Sequence, residues 1–61
     1  MNGKTIIISR EETKPIRGHI GGVKNIEPTT NYIVWTFHSE EAAISAEQVF
    51  NESGFEYVNR L

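Results

Sequence analysis

NYIVWTFHSEEAAISAEQVF, residues 31–50, decides the fold: it joins a strand-forming run to a helix-forming one. Tyr32, Ile33, Val34, Trp35, Thr36 and Phe37 are all β-branched or aromatic, the types that suit a pleated, half-buried surface. Alternation puts Tyr32, Val34 and Thr36 on one face and Ile33, Trp35 and Phe37 on the other. Both faces carry apolar groups, the pattern of a strand covered on both sides. Ser39 then stands where a helix cap is needed, because its hydroxyl can accept from the free N–H groups of a first turn. Glu40 and Glu41 add negative charge at the positive end of the helix dipole. Ala42, Ala43, Ala46, Val49 and Phe50 recur at three- and four-residue spacing and form one apolar stripe. Gly54 suits the left-handed residue that ends a helix. The spacing predicts a helix over 40–53. Its alanines let it lie close to a sheet, with Phe50 the one large side chain on the stripe. Ile44 falls on the opposite side, among Glu47, Gln48 and Asn51, and is a candidate contact residue.

Working outward, Lys4–Arg10 (KTIIISR) reads as a first strand, with Ile6 and Ile8 on one face and Ile7 on the other. Glu11–Pro15 is a polar loop, since the residue before Pro is pushed out of the helical region. In residues 16–27 (IRGHIGGVKNIE) three glycines weaken any regular element. His19–Glu27 is read as a second strand with a bulge near Gly21 and Gly22. Residues 27–31 (EPTTN) turn into the central strand. Phe55–Leu61 reads as a last strand, with Phe55 and Tyr57 on one face and Val58 on the other. The order is β-β-β-α-β: one α+β domain over residues 1–61, a small, mainly antiparallel sheet with one helix packed across one face.

One helix covers one face of a sheet, yet the first and third strands are apolar on both. A chain of 61 residues buries only about 60% of its unfolded surface and is marginal alone. The sequence has no Cys, which excludes disulfides and thiolate metal sites. A partner subunit is the other common aid to a small scaffold. A homodimer is therefore expected, packed sheet to sheet or along an edge strand, with Ile7, Val34, Trp35 and Ile44 as contact candidates. A heterologous protein target is the competing use of the bare face.

Charge is uneven along the chain. Residues 1–30 hold Lys4, Arg10, Lys14, Arg17 and Lys24 against three glutamates; residues 31–61 hold Arg60 against five. The net charge of −2 argues against broad nucleic-acid binding. There is no secretory signal pattern and no run of membrane-spanning length, so a soluble, cytoplasmic protein is expected.

The catalytic vocabulary is sparse. There is no Asp, and all eight acids are Glu. A nucleophilic site would have to combine Ser or Thr with His19 or His38 and a Glu. His38-Ser39-Glu40 is local in sequence, but Ser39 is accounted for as a cap. The two histidines lack any zinc-binding spacing such as HExxH. No enzyme activity, metal or cofactor is expected. Gly18, Gly21 and Gly22, with Arg17, His19 and Lys24 around them, could present backbone N–H groups to an anion. The Walker pattern is absent, and the GxxG spacing of KH-type RNA binders requires two flanking helices that Pro15 does not allow. This basic loop, residues 16–26, is the alternative site, for a small ligand or a nucleic acid.

Tyr32–Leu61 resembles the strand–Ser–Ala-rich helix–Gly–strand unit of small ferredoxin-like bacterial proteins. It is similar in outline to a family of sulfur- or selenium-carrier-like proteins. That family carries a Cys-containing segment, which has no counterpart among these residues, so no site or activity is carried over. The expected function is protein–protein binding, as an inhibitor or regulator of a larger machine. Very short, acidic, Cys-free chains are common among phage and mobile-element regulators.

Overall fold

Strands β1 (Thr5–Ser9), β2 (Val23–Pro28), β3 (Tyr32–Phe37) and β4 (Val58–Arg60) form one sheet, with helix α1 (Glu40–Glu52) between β3 and β4. The computed structural model describes residues 3–61. The sheet order is β2-β3-β1-β4 and every neighbouring pair is antiparallel, an α+β fold of the expected kind. β1 lies between β3 and β4, so α1 carries the chain over β1 from one of its neighbours to the other.

The covered face follows from the period-2 pattern. Ile6 and Ile8 of β1 and Phe37 of β3 are buried beneath Ala43, Ala46 and Phe50 of α1. Small Ala side chains bring the helix backbone close, and Phe50 fills the space left between helix and sheet. Its ring meets Trp35 and Phe55 edge to face, with centroids 5.2 and 5.3 Å away, the geometry favoured by aromatic quadrupoles.

Both helix ends follow from local chemistry. Ser39 is extended, at φ −144°, and its Oγ accepts from the Ala42 N–H at 3.1 Å. At the other end Gly54, at φ +91°, donates to Asn51, and Phe55 donates to Phe50. Those two bonds, with the Phe50–Phe55 contact, make a Schellman motif.

Two elements differ from expectation. β2 begins at Val23 rather than His19, and its irregularity lies between Val23 and Asn25, at Lys24, not at the glycines. Gly22 takes a left-handed φ of +71°, which turns the chain into the strand. β4 is confined to Val58–Arg60, where residues 55–61 were expected. The Schellman motif takes the Phe55 N–H. The Glu12 carboxylate accepts from the Glu56 N–H at 2.7 Å and the Tyr57 N–H at 3.3 Å. Phe55 is thereby drawn into the core while Tyr57 stays exposed.

Residues 10–22 form a strap along the helix, from its C-terminal end back to its start. Lys14 Nζ donates to the Gly54 carbonyl at 2.8 Å, the Arg17 N–H donates to Ser53 Oγ at 2.7 Å, and the His38 N–H donates to the Gly22 carbonyl at 2.9 Å. Ile20 packs against the core. Among the described residues no helix is long and apolar enough to cross a membrane.

Candidate binding surface

Among the described residues nothing covers the face of the sheet opposite α1. Directly paired residues of an antiparallel ladder share a face, so the register sorts its side chains into rows. The middle row runs Glu27, Val34, Ile7, Asn59 across the four strands. On one side of it lie Asn25, Thr36 and Thr5, with Leu61 beyond the end of β4. On the other lie Tyr32 and Ser9, with Tyr57 just before β4. Tyr32 and Tyr57 reach toward each other over Ser9, with ring centroids 5.5 Å apart. None of these side chains is buried. Tyr32, Tyr57 and Leu61 are each more than two-fifths exposed. Glu27 is the one charged side chain among the ladder-paired residues of this face; Lys24, at the irregularity of β2, has no pairing that assigns it to either face.

The contact candidates divide. Ile7 and Val34 are a cross-strand pair at the centre of the open face. Trp35 belongs to the covered face, stacked on Phe37 and against Phe50. Its indole Nε1 is buried without a hydrogen-bond partner among the described residues. Ile44 is exposed on the outer side of the helix, apart from both sheet faces. From the sequence neither Tyr57 nor Leu61 is a contact candidate, and Tyr57 shares a face with Phe55, which the structure buries. The pairing of Val58 with Ile8, which places Tyr57 and Leu61 on the opposite side by alternation, exists only in the folded sheet.

Packing against α1 accounts for Gly18 and Gly22 of the strap. A Cβ on Gly22 would lie 2.8 Å from the Ala42 Cβ, and one on Gly18 would lie 3.2 Å from Val49 Cγ1. At Gly21 the nearest atom would be His19 Nε2, at 3.2 Å. Gly18 and Gly22 let the strap lie flat on α1, whereas Gly21 meets only the end of the His19 side chain. Arg17, His19 and Lys24 are exposed, and the Arg17 N–H is already engaged by Ser53. Arg60 reaches from β4 to the helix, 3.0 Å from Glu47 and 3.5 Å from Glu40. The described residues hold no pocket and no cluster of three metal-ligating side chains.

Comparison of the chain with protein-family profiles, with curated proteins and with solved structures returned no match.

Proposed function

We propose that this protein works by binding protein surfaces, as a regulator or inhibitor that acts by occupancy, and that the open sheet face is where it docks. The observation that carries this reading is the composition of that face. Charged residues make up 23% of the chain, yet among the residues whose ladder pairing places them on the open face Glu27 is the one that is charged. Interface cores are depleted in charge and enriched in aromatic groups, with a polar rim. Here the apolar pair Ile7–Val34 is flanked by Tyr32 and Tyr57 and surrounded by hydroxyl and amide side chains. A chain without Cys needs no oxidising compartment to fold, which fits the cytoplasm as the place of action we propose.

Photo-cross-linking tests this. A photoreactive phenylalanine analogue replaces Thr36 or Tyr57 on the open face, or Gln48 on the outer side of the helix, in the cells that make the protein. Protein adducts are expected from positions 36 and 57 and none from position 48. Adducts that form only when the analogue sits at His19 or Lys24 would move the function to the strap.

A further inference from the structure

We infer that residues 13–21 are a hinged cover over the Trp35 indole, which swings off α1 as a unit between fixed points at Glu12 and Gly22 while the sheet and the helix stay folded. This motion belongs to the helix side of the sheet and does not depend on what docks on the open face.

The path of the strap places it over Trp35. β3 delivers the chain to the start of α1, and α1 returns over β1 toward β4. The strap runs the opposite way, from Gly54 at the end of the helix to Gly22 at its start, and enters β2 on the far side of β3. It therefore lies beside α1, over the β3 half of the covered face. Trp35 is in that half, between its ladder partners Ile6 and Ile26. The cover thins along this row: Ile6 is fully buried, Trp35 partly, and Ile26 is 48% exposed.

The strap is lightly held between firm ends. It forms no helix and no strand, and of residues 13–21 all but Ile20 are exposed. The Lys14 bond to Gly54, the Arg17 bond to Ser53 and the Ile20 side chain tie it down. Segments with so few buried apolar contacts open locally, well below the free energy of global unfolding. At one end Glu12 accepts from the Glu56 and Tyr57 N–H groups. At the other Gly22 is clamped between the His38 N–H and the Ala42 methyl. The end of α1 is complete without the strap: Ser53 Oγ still donates to the Val49 carbonyl at 2.8 Å, and Gly54 and Phe55 still donate to Asn51 and Phe50.

Opening also gains an acceptor for the indole. Trp35 Nε1 is buried with no hydrogen-bond partner among the described residues, and an unpaired buried donor raises the energy of the closed form. Water that reaches the indole when the strap lifts removes that penalty.

Hydrogen exchange of the indole N–H, read by NMR on the full chain, tests this. Trp35 is the one Trp in the sequence, so its signal is unambiguous. Its protection factor is expected to lie about tenfold or more below those of the β1 amides and to change little with low urea, since local opening exposes little surface. The Arg17 amide, held by Ser53, should show the same protection and the same flat urea dependence, as a reporter of the same motion. Indole and β1 protections that are equal and fall together with urea would mean that only global unfolding uncovers Trp35, and would overturn the inference. A disulfide gives the second test. A Cβ on Gly18 would lie 3.8 Å from the Val49 Cβ, a separation that suits a disulfide, and the sequence has no Cys to compete. Gly18→Cys with Val49→Cys is compared reduced against oxidised, so that the strain of a side chain at φ +157° is common to both forms. Reduced, the gap between indole and β1 protection persists; oxidised, it closes. A gap that survives oxidation assigns the opening to another motion and sinks the hinged strap. Where the pair fails to fold or to oxidise, the wild-type comparison of Arg17 with the indole decides, and unequal protections there reject the inference.

Discussion

Phe50 is fully buried and is touched by aromatic rings from β3 and from the turn after α1. Phe50→Ala should cost about 3–5 kcal/mol, as much as the whole stability of a domain this small. The variant's amide spectrum should collapse to the narrow dispersion of an unfolded chain; a dispersed spectrum would show that Phe50 holds little of the core. Ser39→Ala removes one cap bond, with an expected loss of about 1 kcal/mol and an intact fold. Gly22→Ala asks more of the backbone. A left-handed φ costs a residue with a Cβ about 1–2 kcal/mol, and the new methyl would collide with Ala42. A fall of about 2 kcal/mol or more, read from the urea midpoint, is expected; an unchanged midpoint would mean that the strap stands off the helix. Phe50 and Ser39 were legible in the sequence, since helical spacing and cap chemistry are local. Gly22 was not. A glycine required by a neighbour 20 positions away looks the same in sequence as one that frees a loop to hold an anion.

Among the elements, β3 was legible to the residue and α1 to within one, because each carries a continuous pattern and α1 a capping residue at its start. β2 and β4 were read too long. Their ends are set by groups distant in sequence: the Glu12 carboxylate that occupies the Glu56 and Tyr57 amides, and the helix surface against which Gly22 turns. The strap itself is held through Ser53, whose Oγ accepts from Arg17 and donates to the Val49 carbonyl. Ser53→Ala leaves the Arg17 N–H without that acceptor, at a cost of about 1 kcal/mol. Hydrogen exchange should quicken at Arg17 while the β1 amides keep their protection. Equal exchange at Arg17 in both proteins would show that the strap does not depend on this bond.

For the whole molecule, the open face was half legible. Alternation put Ile7 and Val34 on one side of their strands, but it cannot say which side a helix will cover, so Trp35 was grouped with them. The row from Glu27 to Asn59 exists only once the order β2-β3-β1-β4 is known. If two copies pair through this face, folding and association are linked, and the thermal midpoint rises with protein concentration. Ile7→Lys with Val34→Lys should abolish that dependence and lower the midpoint, while circular dichroism retains the helix at low temperature. A wild-type midpoint that stays constant from micromolar to millimolar would argue for a monomer.

The place of β1 in the sheet also sets a timetable. The strand at the centre comes early in the sequence, and its two neighbours come late: Ile8 pairs with Ile33 on one side and with Val58, about 50 residues on, upon the other. Only β2 and β3 can meet as a quick local hairpin, and β2 is the most exposed strand of the four. Such a hairpin alone is marginal in water. The slow event is then the capture of β1 between β3 and β4, which closes long loops before its contacts repay them. This small domain should fold in milliseconds or slower, unlike a helical bundle of its length, and substitutions at Ile6 or Ile8 should slow folding more than those in β2.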